Sequence, residues 1–222
     1  MSETVESREH LRNLQRDHAL QGNTYRDFDI GGMSVASMDF VGSTFERVNA
    51  VETDLKAADL SRSTFKQVDL RRAHVTDTLV HRSLFSDSDL TETDLTRAHI
   101  EDTEFVRVAL MNIGLLGAKL VSTNFNESNL HRARFTGAVL IKCAFSFSPT
   151  SPFSMMKAQL QNATLVECDL SGANLIGADL AGATFIKCNL RGAQMARVNV
   201  DRTRLIACNT VAADLPEGLA RR

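Results

Sequence analysis

The sequence contains no tryptophan, one tyrosine and three prolines among 222 residues, and no apolar run long enough to span a bilayer. Its 25 basic and 27 acidic residues leave a net charge of -2, which excludes a strongly basic nucleic-acid-binding protein as the first interpretation. The N-terminal segment lacks the hydrophobic core of a secretory signal. Together with cysteines that have the character of free thiols, these absences predict a cytoplasmic protein of bacterial type without a membrane span.

Motifs that carry chemistry are equally scarce. There is no phosphate-binding glycine loop, no nucleophile elbow, and no Cys-x-x-Cys or Cys/His spacing typical of zinc sites. His81 and His99 are expected to share one side of the molecule, but without a third ligand. We therefore expect no enzymatic activity, no catalytic residue, no cofactor and no bound metal.

A large apolar residue instead occupies nearly every fifth position from about residue 25 to residue 215, in one phase. A small residue lies two positions earlier, as Ala58 does before Leu60. A period of five fits neither a helix nor a flat strand, so the chain is best described by an internal repeat. The large and the small residue of each quintet should point inward, while the other three positions face water.

A second period of twenty is superimposed on the first, because every fourth large residue tends to be aromatic. Four quintets would then close one square coil, and equivalent side chains would stack from coil to coil. The expected core ladder consists of Phe45, Phe65, Phe85, Phe105, Phe125, Phe145 and Phe185. Outward Asp and Asn residues before the large residue suit the bend and are not expected to form catalytic pairs.

Four cysteines occupy the small inward position: Cys143, Cys168, Cys188 and Cys208. The last three are twenty residues apart and should therefore stack on one side of the coil. A buried thiol behaves as a small hydrophobic group, so we expect these cysteines to serve core packing rather than redox or metal chemistry.

Segments such as Ala173-Asn174-Leu175 and Cys188-Asn189-Leu190-Arg191-Gly192 resemble the A(D/N)LxG motif of the pentapeptide-repeat proteins. The resemblance covers nearly everything from about residue 23 to residue 215. It implies an all-β solenoid, namely a right-handed quadrilateral parallel β-helix of about nine to ten coils of roughly 20 residues.

In terms of organisation, residues 1–22 are expected to form an N-terminal arm or capping helix, residues 23–215 the repeat domain, and residues 216–222 a short tail. Prolines interrupt the pattern over about 146–156, which predicts a distorted coil or a bulged loop. Because the phase of five is the same on both sides, no net slippage of the coils is expected. The short tail makes the C-terminal end a candidate for self-association.

Apolar residues also occur at the outward position directly after the large residue. Four consecutive ones would form a belt around one coil, and Val166, Ile186 and Ile206 would form an apolar ladder on one side. Contiguous exposed apolar side chains indicate an interface, although outward Val and Ile also favour β geometry in their own right. The expected protein interface comprises Val106, Met111, Leu116, Val121, Val166, Ile186, Ile206 and Val211.

Three functions remain open at this stage. The leading one is a non-enzymatic adaptor or scaffold that binds another protein on a rigid rod and forms a homodimer through its C-terminal end. The family resemblance implies an alternative, because some members mimic DNA, bind DNA gyrase or topoisomerase IV and protect against quinolones or toxins. The near-neutral charge and the absence of a C-terminal helix depart from that pattern. A third alternative is a secretion-system component or effector. No direct contact with nucleic acid is expected.

Overall fold

The computed structural model describes residues 2–146 and 155–219, which contain one helix and fifteen short strands. In chain order these are β1 Thr4–Val5, α1 Arg8–Asp17, β2 Thr24–Arg26, β3 Thr44–Glu46, β4 Thr64–Lys66, β5 Leu79–His81, β6 Leu84–Ser86, β7 His99–Glu101, β8 Glu104–Val106, β9 Lys119–Val121, β10 Asn124–Asn126, β11 Val139–Ile141, β12 Ala144–Ser146, β13 Thr164–Val166, β14 Thr184–Ile186 and β15 Arg204–Ile206.

The strands form two parallel ladders along a four-sided solenoid of about ten turns. The eight-stranded wall has the order β1-β2-β3-β4-β6-β8-β10-β12, and the seven-stranded wall has the order β15-β14-β13-β11-β9-β7-β5. Isolated parallel bridges such as Asp29 to Asn49 and Ser34 to Asp54 join the coils on the other two walls. The predicted β-helix is confirmed.

The inward positions follow the quintet. In the interior coils the large residue and the small residue two positions earlier are buried, as Phe65 and Ser63 are. Backbone groups pair with the adjacent coils: the amide of Leu60 donates to the carbonyl of Leu79 at 2.9 Å, and the amide of Leu79 donates to Ala58 at 3.2 Å. Each coil is therefore held by its neighbours through main-chain hydrogen bonds and a narrow apolar core.

The corners share one backbone feature. The second residue after the large one has a positive φ whether or not it is glycine, with values of 70° at Gly182, 59° at Arg62 and 60° at Asp77. A left-handed conformation is unfavourable for residues other than glycine. It recurs along the solenoid because each corner must redirect the chain in the same way to keep the coils in register.

Along the eight-stranded wall, the aromatic rings from Tyr25 to Phe145 stack with centroids 4.4 to 5.1 Å apart and planes within 14° of parallel. This spacing matches the distance of about 4.8 Å between neighbouring β-strands, so the ladder itself sets the ring separation. The predicted placement of Phe65, Phe85 and Phe105 on one wall is confirmed.

Among the described residues, the coil register changes once. Leu120 pairs with Leu140, twenty residues later, but Leu140 pairs with Leu165, twenty-five residues later. The expectation of no net slippage is therefore wrong, because a complete extra quintet preserves the phase of five and still shifts every later residue by one wall. Residues 147–154, on which the predicted distorted coil or loop falls, lie outside the described residues.

The shift corrects one member of the predicted core ladder. Phe185 is buried, but it pairs with Leu165 and Leu205 in the seven-stranded wall and does not stack above Phe145. In the coil that follows Phe145, the residues at its level are Asp169 and Leu170: the Phe145 amide donates a hydrogen bond of 3.1 Å to the carbonyl of Asp169. The aromatic ladder therefore ends at Phe145, one wall away from Phe185.

The two ends of the described solenoid differ. At the N-terminal end, the Ser7 hydroxyl accepts a hydrogen bond of 3.2 Å from the His10 amide, and Leu11 and Leu14 of α1 are buried. Val5 precedes this helix and pairs with Tyr25, so the segment supplies a strand as well as a cap. At the other end, Leu205 and Leu215 are only partly buried. Within the described ranges, no helix is long and apolar enough to cross a membrane.

Candidate protein-binding face

An apolar column runs up the outer surface of the seven-stranded wall. It is formed by the last residue of five successive strands, which stack in register: Val121, Ile141, Val166, Ile186 and Ile206. Four intervals at about 4.8 Å give the column a length of roughly 19 Å. The side chains point outward because the middle residue of each strand, such as Leu140 or Phe185, is buried in the core.

The column lies on a regular sheet surface. The first residue of each strand forms a parallel row beside it, which includes Val139 next to Ile141, Thr184 next to Ile186 and Arg204 next to Ile206. Val139 is 36% exposed and Ile206 is 38% exposed. The surface therefore presents apolar groups along one line with threonine and arginine beside them.

Four of the five column residues were expected at an interface, but only Val166, Ile186 and Ile206 were expected to share one column. Val166, Ile186 and Ile206 share one wall as expected, and Val121 is joined to them through Ile141. Ile141 and Val139 were not among the expected interface residues. Their relation to Val166 depends on the twenty-five-residue coil, and a search at a spacing of twenty does not find it.

The other expected interface residues lie elsewhere. Val106 ends β8 in the eight-stranded wall, whereas Met111 and Leu116 lie between β8 and β9 and are exposed. With Val121 they encircle one coil, so no flat partner could contact all four. Val211 is 63% exposed, and its carbonyl accepts a hydrogen bond from the Gly192 amide. Val211 therefore lies at the position equivalent to Arg191 in the next coil, outside the apolar column.

A buried row of hydrogen-bonding side chains runs along the inner corner between the seven-stranded and the eight-stranded wall. The Ser63 hydroxyl donates to the carbonyl of Phe40 at 2.8 Å, and the Ser83 hydroxyl donates to Leu60 at 2.9 Å. Farther along, the Cys168 thiol approaches the carbonyl of Leu140 at 3.4 Å in the same manner. The thiols thus replace hydroxyl groups as donors to the coil below.

All four cysteines belong to this row. Because of the longer coil, Cys143 lies directly before Cys168, followed by Cys188 and Cys208, whereas the sequence predicted a stack of only the last three. Cys143, Cys168 and Cys188 are buried, and Cys208 is partly buried. The hydrogen bond with the Cys143 thiol raises the pKa of Cys168 to about 12. A thiol whose pKa is raised in this way is a poor nucleophile.

The recurrent acidic residues serve the backbone. Asp59 accepts a hydrogen bond of 2.9 Å from the Ser61 amide, and Asp179 accepts one of 3.1 Å from Ala181. Other carboxylates pair with arginine from the next coil, and the Arg97 guanidinium lowers the pKa of Asp77. These contacts show that the recurrent carboxylates stabilise the corners of the coils or form surface ion pairs.

His81 and His99 do have a third ligand candidate, contrary to the expectation. Glu101 Oε2 lies 3.8 Å from His81 Nδ1 and 3.8 Å from His99 Nε2. The reason is the register, since His81 pairs with Glu101 in the neighbouring strand while His99 lies two residues before it. The Asp102 carboxylate belongs to the same cluster, in which one ligand atom each from His81, Glu101 and Asp102 lies within 4.8 Å of the others.

On another part of the surface, a groove of about 520 Å³ is open to solvent. It is lined by Glu92, Asn112, Arg132, Arg134, Lys157 and Gln159. Burial, followed by the charges of Arg132 and Lys157, lowers the pKa of nearby His131. The groove is polar and shallow, which is unlike a site that excludes water from a reaction.

Comparison with known proteins agrees with this architecture. The profile described as pentapeptide repeats matches eight copies, over residues 39–77, 115–148, 154–192 and 173–209. No curated protein matches the chain at a significant level.

Among solved structures, a trypsin-treated variant of QnrB1, a plasmid-mediated fluoroquinolone resistance protein, has a TM-score of 0.59 at 16% identity, covering 87% of this chain and 85% of QnrB1. A second QnrB1 variant gives 0.58 at 18% identity, covering 86% and 85%. HetL, a pentapeptide repeat protein involved in heterocyst differentiation regulation from the cyanobacterium Nostoc sp. strain PCC 7120, gives 0.41 at 19%, covering 95% and 97%. With its repeats, its four walls and this shared fold, the chain belongs to the pentapeptide-repeat family.

Proposed function

We propose that this chain is a non-enzymatic rod that binds protein through its seven-stranded wall, and that a second copy of the chain is its first partner. The observation that carries the proposal is the apolar column from Val121 to Ile206. This column extends over five coils, and a partner that covers it removes its apolar side chains from water. Such burial favours binding in proportion to the apolar area that is covered.

A non-enzymatic role is supported by what the polar groups do. The aspartates bind backbone amides or arginines, three of the four thiols are buried, and the polar groove is open to solvent. None of these groups forms a nucleophile with a base in a water-excluded pocket.

A second copy is favoured by the partly buried last coil. The column ends at Ile206 in β15, the edge strand of its wall, and the inward residues Leu205 and Leu215 of the same region are partly exposed. Two chains that meet near this end would cover the upper part of the column together with these core residues. Such a contact would be isologous, because the same surface faces itself across a twofold axis.

The test is the mass in solution of the wild-type chain and of an Ile186→Asp/Ile206→Asp variant, measured by light scattering after gel filtration. We expect a wild-type mass of about twice 24.4 kDa and a monomeric variant. The matched control, Ser171→Asp/Arg191→Asp, places the same charges on the neighbouring wall and should remain dimeric. A monomeric wild type, or a variant that still dimerises, would reject the second copy as the partner.

A second candidate is the topoisomerase-binding role of some family members, and the fold shared with QnrB1 is the observation that favours it. The charge pattern argues against it, because carboxylates such as Asp77 and Asp87 are neutralised by Arg97 and Arg107. A DNA mimic needs free negative charge where phosphates would lie. Supercoiling by purified gyrase, with and without a quinolone, separates the candidates. Inhibition or protection by this chain would favour the mimic, and an unchanged reaction would exclude it.

A further inference from the structure

We propose that His81, Glu101 and Asp102, together with His99, form a binding site for a divalent transition metal such as Zn²⁺ on the seven-stranded wall. The site lies directly next to the lower end of the apolar column, because Glu101 pairs with Val121 in the following strand. The proposal concerns a ligand of this face and is independent of whether a second copy binds there.

The ligand set fits such an ion. Two imidazole nitrogens and two carboxylates are the donors that Zn²⁺ and its neighbours in the first transition row accept, whereas Ca²⁺ and Mg²⁺ take oxygen ligands. The ligand atoms of His81, Glu101 and Asp102 lie within 4.8 Å of one another. Around a tetrahedral ion with bonds of about 2.1 Å, ligand atoms are roughly 3.4 Å apart. Small side-chain rotations are therefore sufficient to bring these three ligand atoms around one ion.

His99 adds an independent observation. Its Nε2 atom is buried and has no hydrogen-bond partner, yet it lies 3.8 Å from Glu101 Oε2. A buried polar atom without a partner is energetically unfavourable. A metal ion held between His99 and Glu101 would satisfy this nitrogen without any movement of the backbone.

The rigid ladder holds these residues in place. His81 and Glu101 are paired in adjacent strands, and His99 and Glu101 flank the buried Ile100, so that their side chains emerge on the same outer surface. Asp102 itself occupies the next corner position, with a φ of 48°. Two positive side chains flank the site: Arg82 Nε lies 3.9 Å from Asp102 Oδ2, and Lys119 pairs with His99 in the following strand. The metal would have to displace this exposed ion pair.

The test is titration of the full chain with Zn²⁺ by calorimetry and with Co²⁺ by visible absorption. We expect one ion per chain at this site, a Co²⁺ spectrum typical of four ligands, and at least about tenfold weaker binding in the His81→Ala and Glu101→Gln variants. His131→Ala is the matched control, because His131 faces Arg132 and Lys157, and it should bind as the wild type does.

The melting temperature is a second measurement, which detects variants that disturb the fold. Zn²⁺ should raise the melting temperature of the wild type and of His131→Ala, but not that of His81→Ala or Glu101→Gln. The absence of stoichiometric binding, or binding that is equally strong in His81→Ala and Glu101→Gln, would overturn the proposal. The latter result would identify an adventitious site such as the exposed N-terminal histidines.

Discussion

The hydroxyl of Tyr25 donates a hydrogen bond of 2.7 Å to the carbonyl oxygen of Leu20, at the point where the N-terminal segment enters the first full coil. The ring is buried at the start of the aromatic ladder, and burial raises the pKa of Tyr25 to about 12. The protonated hydroxyl is thus favoured in the folded state, so its contribution to stability is complete below pH 10 and is lost as the pH rises towards 12.

Tyr25 is the only tyrosine in a chain without tryptophan, so absorbance at 295 nm reports its ionisation alone. We expect a midpoint near pH 12 for the folded protein and near the ordinary value of 10.0 in denaturant. Tyr25→Phe keeps the ring and should lower the free energy of unfolding by about 1 kcal/mol. A folded-state midpoint near 10 would contradict the buried placement of the hydroxyl.

Replacement of Arg62 by glycine should stabilise the protein. Arg62 has a φ of 59° and is exposed, so it bears the strain of a left-handed conformation that glycine adopts freely. We expect Arg62→Gly to raise the free energy of unfolding by about 1 kcal/mol. The control is Ser61→Gly, one residue earlier and outside the positive-φ set, which should lower it by about 0.5–1 kcal/mol. Equal effects in chemical denaturation would argue against the shared corner geometry.

Asp59 should act through its hydrogen bond to the backbone and not through its charge. Its Oδ1 atom accepts from the Ser61 amide at 2.9 Å. Asp59→Asn retains an acceptor and should leave stability within about 0.5 kcal/mol of the wild type, whereas Asp59→Ala should lose about 1 kcal/mol. Urea unfolding curves distinguish the two outcomes. A similar loss in both variants would indicate that the carboxylate charge matters.

Thiol reactivity should report the buried cysteine row. Cys143, Cys168 and Cys188 are buried, and burial raises the pKa of the partly buried Cys208. We expect a native protein at pH 8 to react slowly with Ellman's reagent at one thiol, and at four thiols once unfolded. In Cys208→Ser the slow native reaction should disappear. Rapid labelling of several thiols in the native protein would be inconsistent with the inward placement of the row.

Much of this architecture follows from local pattern. The inward pair of each quintet and the stacking of Phe85 on Phe105 are visible in the sequence, because they depend only on periods of five and twenty. The wall on which Phe185 lies depends on how many residues fill the coil before it. An added quintet changes that number without disturbing any local signal, and the placement of Phe185 could not be predicted for this reason.

The same limit applies to the surface. Val166, Ile186 and Ile206 could be assigned to one wall, but Ile141 joins them only through the twenty-five-residue coil. The expectation that His81 and His99 lack a third ligand is wrong for a different reason. Glu101 is twenty residues away from His81 and two from His99, so the repeat itself places all three side chains on the outer surface of one wall.

The continuity of the apolar column rests on the pairing of β11 with β13, and a disulfide cross-link tests that pairing most directly. In an Ile141→Cys/Val166→Cys variant the two Cα atoms should lie about 4.8 Å apart, within the range for a disulfide. Mild oxidation followed by peptide mass mapping should recover a bond between positions 141 and 166. The Ile141→Cys/Gln161→Cys variant, which corresponds to a coil of twenty residues, should not cross-link, because Gln161 contacts Thr136 on the preceding wall. A bond between positions 141 and 161, and none between 141 and 166, would contradict the account.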